Sequence, residues 1–279
     1  MVGAPRRRGG GVLSLRASLR ATPALLRAGF LEALAYRAEM LIWILSTTMP
    51  LVMLALFASL ADEAPFGRFG RRDFVAYYLA TLLARQITSS WAAWEINFEV
   101  RQGTLAARLL RPVHPVWVYA MQNVAVLPLR LLLVVPVGAL LLYSAAPGST
   151  PHTPGALALA LATLFGGWLI TFFLNVAIGA LSFALESTVM LLNAYFVFFV
   201  VFSGYLMPVE LFPPWLRALA DALPFRYQLA LPVEVLTGAL DAARLGPLLA
   251  AQWAYVVGLG ALALGLWHRG VRRFGAFGG

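Results

Sequence analysis

Two arginines stand inside otherwise apolar runs of this chain, and their position demands a chemical explanation. Arg85 lies within the run 74–94, and Arg130 lies within the run 116–143. A charged side chain at membrane depth is costly, so both are candidate functional residues. Arg85 lies about two turns from the end of its run, where its side chain can extend to a polar surface. Arg130 lies deeper, where it either faces a cavity or pairs with a carboxylate of a partner chain.

The residue types that catalytic and metal sites need are missing or scattered. The chain has no cysteine and no lysine, so it can form neither a thiolate metal site nor a G-x-x-x-x-G-K-[ST] phosphate loop. Its histidines, His114, His152 and His268, have no metal-ligand spacing. We therefore predict no catalytic residue, no metal and no cofactor bound by this chain. Asn175, in the run 156–185, is a further polar candidate that we expect to link helices.

The composition indicates that these residues belong to a membrane protein. Of the 279 residues, 61% are hydrophobic and 12% are charged, whereas a soluble domain has roughly 45–50% apolar and about 25% charged residues. A soluble fold of this size could not bury so much apolar surface, but a bilayer is a solvent for it. The net charge of +9 does not indicate nucleic-acid binding, because the arginines flank apolar runs instead of forming a stripe with aromatic residues. Lipid headgroups are the expected partner of these charges.

Six apolar runs approach or exceed the length of about 20 residues that a spanning helix needs. We predict an all-α integral membrane fold with six transmembrane helices, at residues 40–60, 74–94, 116–143, 156–185, 188–207 and 246–267. Residues 1–22 are basic and lack an apolar core, so we expect them to be retained as a poorly ordered cytoplasmic arm. Residues 23–279 then form a single membrane domain.

Two further segments predict helices that do not span. Residues 23–39 have an apolar face and predict an N-terminal elbow helix in the membrane interface, the alternative being a cytoplasmic extension of the first span. Residues 208–240 predict an extracellular re-entrant helical hairpin between spans five and six, the alternative being an ordinary outer loop. Pro213 can start its first helix, on which Arg217 and Asp221 lie one turn apart and can pair.

The arginines also predict the orientation. Seven precede the first span, three lie in 95–115 and three follow the last span, whereas 61–73 and 208–245 hold three each, offset by acidic residues. Cytoplasmic loops carry the excess of basic residues. We therefore expect a multi-pass protein of the cell (inner or plasma) membrane with both termini in the cytoplasm.

Three stretches resemble the type-2 ABC exporter permeases. The first, at 95–112, is E-I-N-F-E-V-R-Q-G-T-L-A-A-R-L-L-R-P and resembles the cytoplasmic segment of that family. The second, at 202–216, is F-S-G-Y-L-M-P-V-E-L-F-P-P-W-L, and the third, at 222–227, is A-L-P-F-R-Y and closes the outer hairpin. With the order of helices, the resemblance covers nearly the whole chain from residue 23 onward.

The resemblance implies a permease subunit of an exporter whose ATPase, with its ATP and Mg²⁺, is a separate chain. In such permeases the cytoplasmic segment docks into a cleft on the ATPase, where charged residues could pair across the interface, leucines give an apolar anchor and a glycine permits a turn. The matching residues here are Glu95, Glu99, Arg101, Gly103, Thr104, Leu105, Arg108, Leu109, Arg111 and Pro112, and Leu110 is the third leucine of the apolar anchor. Those of the outer gate or hairpin are Gly204, Pro208, Phe212, Pro213, Trp215, Pro224 and Phe225.

The resemblance also implies a second permease that completes the conduit. A different, related chain is favoured, and a homodimer is the alternative. Aromatic side chains crowd span five and suit an amphipathic or lipid-like substrate, the alternative being that they serve packing and lipid contact. A competing hypothesis is an ATP-independent secondary carrier or flippase, which usually needs carboxylates inside the spans. Another is a membrane-embedded enzyme or structural subunit, and the enzyme would need clustered His, Asp or Glu at one membrane face.

Overall fold

The computed structural model describes residues 10–36, 38, 42, 48–64, 66–67, 69–144 and 153–274. These residues are helical, as the sequence predicts, and contain no β-strand beyond an isolated bridge between Phe66 and Phe69. Several predicted features lie outside the described residues. They are residues 1–9 of the basic arm, most of 40–47 at the start of the first predicted span, and the loop 145–152 with His152.

Helices of the described residues overlap each of the six predicted runs. They are α1 (Gly10–Ala35), α2 (Met49–Glu63), α3 (Arg71–Thr88), α4 (Ala92–Gln102), α5 (Leu105–Leu109), α6 (Pro115–Ala125), α7 (Leu127–Ser144), α8 (Pro154–Ala180), α9 (Val189–Phe202), α10 (Pro214–Asp221), α11 (Pro224–Gln228), α12 (Ala230–Leu236) and α13 (Ala242–Phe274). Short 3₁₀ turns lie at Leu181–Phe183 and Val209–Leu211. By length and composition, Pro154–Phe183 and Ala243–Phe274 could each cross a membrane, and Val189–Phe202 is a shorter apolar helix.

The N-terminal helix is longer than expected. α1 begins at Gly10, so the expectation of a poorly ordered arm is wrong for residues 10–22, and Pro23 lies inside the helix instead of in its first turn. The Ser18 hydroxyl accepts a hydrogen bond from the backbone N–H of His114 at 3.0 Å. The Thr22 hydroxyl accepts one from the indole N–H of Trp117 at 3.1 Å. These bonds hold α1 against the start of α6 and give the basic segment a packing partner.

Two of the predicted spans are interrupted, the run 74–94 near its end and the run 116–143 in its first half. The run 74–94 forms α3, then an extended turn at Ser89, then α4. The run 116–143 is divided at Val126 into α6 and α7. Such breaks free backbone groups that must find other partners, and α3 leaves its last carbonyls without helical donors.

α8 is the centre of the bundle and packs against α13, α4, α3 and the hairpin helices α11 and α12. A buried amide joins three of these elements. The Gln252 side-chain nitrogen, on α13, donates to the carbonyl oxygen of Thr163 on α8 at 2.8 Å and to that of Tyr227 on α11 at 2.9 Å. Residues 208–240, which we call the outer hairpin after the location and shape predicted for them, are therefore bonded into the core of the bundle at Tyr227.

Candidate functional site

The segment between α3 and α6, which the sequence predicts to be cytoplasmic, turns at a glycine. α4 ends at Gln102, and Gly103 adopts φ +72°, a left-handed conformation that residues with a side chain rarely adopt. The Gly103 N–H donates to the carbonyl oxygen of Val100, and α5 starts two residues later at Leu105. This turn folds α5 back so that Leu105 is fully buried in the core cluster around α4, α6 and α8.

An internal ion pair holds α5 against α4 and α6. Arg108 forms a salt bridge with Glu99 and donates to the side-chain oxygen of Gln122 at 3.2 Å. The Tyr119 hydroxyl donates to the other carboxylate oxygen of Glu99 at 2.6 Å, and the Arg108 guanidinium lies 4.7 Å from the Tyr119 ring centre. Glu99 and Arg108 therefore satisfy each other within the chain, in place of the expected pairing across an interface.

A different set of side chains on this segment is free to contact a partner. Leu110 is 88% exposed and Phe98 is 62% exposed, and Trp94 is half-exposed beside them in sequence. We call these three, with the exposed Arg101 and Arg111, the cytoplasmic rim, after the side of the membrane that the sequence predicts for them. The apolar anchor expected from three leucines is thus corrected. Leu105 is buried and Leu109 packs against the core, so Leu110 alone of the three is exposed.

Glu95 links this segment to the break that ends α3. Its Oε1 accepts a hydrogen bond from the indole N–H of Trp91 at 3.1 Å, and its Oε2 is buried with no hydrogen-bond partner among the described residues. Burial raises the pKa of Glu95 to about 7, the Arg108 charge opposes that rise, and the Glu99 charge reinforces it.

Arg130 meets the same break from the other side. Its Nη1 donates to the carbonyl oxygen of Gln86 at 2.8 Å and to the Ser89 hydroxyl at 2.6 Å, and its guanidinium lies 4.4 Å from the Trp91 ring centre. Arg85 lies one turn before Ser89 on α3, and its guanidinium stacks 4.5 Å from the ring centre of Phe199 on α9. Both arginines therefore lie at one level of the bundle, around the broken end of α3.

The outer hairpin contains a buried charge network. Arg226, fully buried, donates to both carboxylate oxygens of Glu234 at 3.0 Å and also pairs with Asp221. Asp221 in turn pairs with Arg244 at the start of α13, at 3.0 Å. The expected pair between Arg217 and Asp221 is corrected, because the fold brings Arg226 and Arg244 to this carboxylate. Burial raises the pKa of Glu234, and the Arg226 charge opposes the rise.

The predicted hairpin residues occupy different environments. Gly204 has φ +81° and starts the connection, while Trp215 is 69% exposed on α10. Phe225 stacks on Phe198 of α9 with ring centres 6.1 Å apart. Pro208 lies at the turn before the 3₁₀ segment, and the Phe212 ring is buried. Pro213 directly precedes α10, and Pro224 is the first residue of α11.

Comparison with known families agrees with this architecture. A family model described as ABC-2 family transporter protein matches residues 44–278, which is most of the chain. The chain belongs to the ABC-2 transporter family. This ABC-2 permease is therefore a transmembrane transport protein, the membrane component of an ABC exporter, and its family works with ABC ATPase subunits. A search of curated proteins gives no match to it.

Within the described part of the ABC-2 permease, Asn175 makes no cross-helix bond of the kind expected of it. Its side-chain nitrogen donates to the carbonyl oxygen of Thr171, one turn earlier on α8, at 2.9 Å. Thr171 makes the contact between elements, since its hydroxyl donates to the side-chain oxygen of Gln228 on α11 at 3.1 Å. The Tyr195 hydroxyl on α9 donates to that same Gln228 oxygen at 2.8 Å.

Sequence reasoning missed the buried residues that tie the hairpin to the bundle. Gln228 and Gln252 receive or donate most of these bonds, and Arg226 with Glu234 forms the buried ion pair. The sequence could have marked Gln252 as a residue that bonds to another element, because it is an amide inside the apolar run 246–267. An unpaired polar group is costly in lipid. No local pattern could have selected Glu234 as the partner of Arg226, because the hairpin fold alone brings them together.

Two histidines lie closer together than the sequence implies. The rings of His114 and His268 have centres 6.1 Å apart, at the junction of α6 and the end of α13. Burial, and then the His268 charge, lower the pKa of His114. Among the described residues, no group of three or more His, Cys, Asp or Glu side chains could hold a metal ion.

Proposed function

We propose that this permease has six spans, with an interfacial N-terminal helix and a re-entrant outer hairpin, and exports an amphipathic substrate. Its power comes from an ATPase on a separate chain, which docks on the cytoplasmic rim. The observation that carries the docking proposal is the contrast within one segment. Leu110, Phe98 and Trp94 are exposed, while Leu105 and the Glu99–Arg108 pair behind them are locked into the core.

That contrast suits a docking element. A partner gains most from apolar and aromatic anchors that project from a rigid support, because little conformational entropy is lost on binding. Arg101 and Arg111 flank the anchors and add positive charge at the edge, where charge steers association. The internal ion pair then serves to carry motion of the rim to α6, since Tyr119 and Gln122 of α6 are bonded to it.

Co-purification tests the docking proposal. Leu110→Asp should lower the ATPase recovered with the permease by at least about tenfold, because it removes an exposed anchor without touching the core. Leu185→Asp is the matched control, an exposed leucine in the tight turn between α8 and α9, on the same proposed side. ATPase recovery that is equal in the two variants, or absent from the native protein, would contradict the proposal.

Single-cysteine labelling tests the topology, and the cysteine-free chain needs no background removal. With six spans and cytoplasmic termini, Thr104→Cys and Ser187→Cys should react only after the membrane is permeabilised. Glu63→Cys and Asp241→Cys should react in intact cells. Reaction of Thr104→Cys and Asp241→Cys from the same side would rule out the six-span orientation.

A second permease completes the proposed conduit, and a different, related chain is favoured over a second copy. The exposed aromatic surface of α9, which includes Phe196 and Phe198, supports an interface or a substrate path there. Mass spectrometry of the complex purified from native membranes would distinguish the two. One permease sequence in the complex indicates a homodimer, and two indicate the heteromeric pair.

A further inference from the structure

Arg85 and Arg130 place two positive charges inside the bundle, and neither has a carboxylate partner among the described residues. The ion pairs that those residues form involve other arginines. Arg130 is 3% exposed, and its Nη2 is buried with no hydrogen-bond acceptor in the described part of the chain. Glu95, the carboxylate beside the break, accepts its hydrogen bond from the indole N–H of Trp91 and pairs with neither arginine.

A structural role explains part of this arrangement. α3 ends at Thr88, so its last carbonyl groups lack helical donors, and Arg130 supplies one to Gln86. That bond and the one to Ser89 use Nη1 alone. Within the described residues they leave Nη2 without an acceptor and the positive charge without a carboxylate partner. A neutral side chain such as Gln could donate a hydrogen bond to the same carbonyl without the cost of placing a charge inside the bundle.

Arg85 extends the same positive region toward an open face. It is half-buried, and its guanidinium lies on the Phe199 ring, which is itself buried. Phe199 stacks with Phe196, with ring centres 6.3 Å apart, and Phe196 is half-exposed on α9. The charges and an exposed aromatic surface are thus continuous, which matches a ligand with an anionic head and an apolar tail.

We propose that Arg85 and Arg130 bind the phosphate-bearing headgroup of an anionic amphiphile, whose hydrocarbon part lies along α9. The Ser89 hydroxyl, bonded to Arg130, borders the site. The level of the site, at the end of α3 next to the cytoplasmic segment, corresponds to the headgroups of the inner leaflet. This placement rests on the proposed orientation, while the anion binding itself does not. Guanidinium groups suit phosphate oxygens because they donate several hydrogen bonds in a fixed plane.

Binding by the purified permease, without ATPase and in an uncharged detergent, tests the inference. The probes are dioctanoyl-phosphatidylglycerol, dioctanoyl-phosphatidylcholine and inorganic phosphate, titrated by microscale thermophoresis. Phosphatidylglycerol should bind about tenfold more tightly than phosphatidylcholine, and Arg85→Gln should weaken it about tenfold, as expected for loss of a charge-assisted contact. Arg269→Gln, an exposed arginine near the end of α13, is the matched control and should leave binding unchanged.

Each outcome bears on the site directly. Arg85→Gln is the main variant because Arg130→Gln also removes the cap of α3 and can unfold the protein. Inorganic phosphate that competes as well as the lipid would identify a free anion as the ligand, and lipid binding without phosphate competition would identify an amphiphile. Both results support the anion site. Equal binding of the two lipids, unaffected by Arg85→Gln, would overturn it.

Three further results separate this inference from its alternatives. Loss of a co-purifying second permease in Arg85→Gln, with phosphatidylglycerol binding unchanged, would overturn the anion site in favour of an ion pair between chains. Failure of the ATPase to co-purify would overturn the proposed function alone. A native permease that recovers the ATPase but binds no anionic lipid would overturn this inference alone.

Discussion

The Tyr77 hydroxyl donates a 2.7 Å hydrogen bond to the carbonyl oxygen of Gly204, joining α3 to the turn that follows α9. The neighbouring Tyr78 hydroxyl donates to the carbonyl oxygen of Leu206 at 2.7 Å. Gly204 has φ +81°, and a Cβ there would lie 2.6 Å from the Tyr77 oxygen. The start of the outer hairpin is therefore set by a tyrosine from another helix and by a backbone that has no room for a side chain.

Gly204→Ala should destabilise the fold by about 2 kcal/mol, since it combines a left-handed backbone with a clash against a buried hydroxyl. Thermal unfolding in detergent measures the change. Gly246→Ala is the control, because that glycine lies in α13 and a Cβ added to it would meet nothing within 4 Å. It should be neutral or stabilise by up to about 1 kcal/mol. Equal unfolding midpoints for the two variants would contradict this account of the turn.

Glu234→Leu should cost about 3–5 kcal/mol, because it deprives the fully buried Arg226 of the carboxylate that accepts two of its hydrogen bonds. The double variant Arg226→Leu with Glu234→Leu should recover much of that loss, since neither charge is then left alone. The exposed pair Asp62–Arg71 provides the comparison, and Arg71→Gln should change stability by less than about 1 kcal/mol. A double variant less stable than Glu234→Leu would show that the pair is not the cause.

Stability should depend on pH through Glu95. Its folded-state pKa of about 7 lies above the ordinary value of 4.5, so the folded chain holds an extra proton between these values. Unfolding free energy should therefore fall as pH rises from 4.5 to 7 and level off above that range. Glu95→Gln should remove this fall and be more stable than the native protein at pH 8 by ~1–3 kcal/mol. Unfolding midpoints measured from about pH 5 to about pH 8 test this.

Glu63→Gln, at an exposed carboxylate near the end of α2, is the control for the pH experiment. It should keep the pH dependence of the native protein. The interpretation fails if Glu95→Gln shows the same pH profile as this control, because burial of Glu95 would then leave its proton affinity unchanged.

Gly103 should matter for the shape of the cytoplasmic rim more than for packing. Nothing lies within 4 Å of a Cβ at this position, so the cost of a side chain comes from φ +72° alone. Asparagine tolerates the left-handed region and valine does not. ATPase recovery should therefore decrease in the order native, Gly103→Asn, Gly103→Val, with global unfolding shifted by about 1–2 kcal/mol at most in the last. Equal recovery with Asn and Val would mean that the turn does not position the rim.

Composition and local pattern alone predicted that this protein is helical, lies in a membrane and resembles a known family. Apolar runs of spanning length and the low charge predict membrane helices, because lipid requires backbone groups to bond within the segment. The absence of lysine excludes the usual phosphate loop from these 279 residues. The stretches around 95–112 and 202–227 carry the resemblance to the family that matches residues 44–278.

Tertiary structure decided which side chains of those stretches are available. Leu105 and Leu110 look alike in sequence, but the turn at Gly103 buries the first and exposes the second. Asp221 lies one turn from Arg217, yet the fold brings Arg226 and Arg244 to it from other elements. The reason is physical: apolar periodicity depends on neighbours along one helix, whereas the pairing of buried charges depends on how separate helices approach. Sequence therefore marked Arg85 and Arg130 as costly, and only the packed bundle placed both at the broken end of α3.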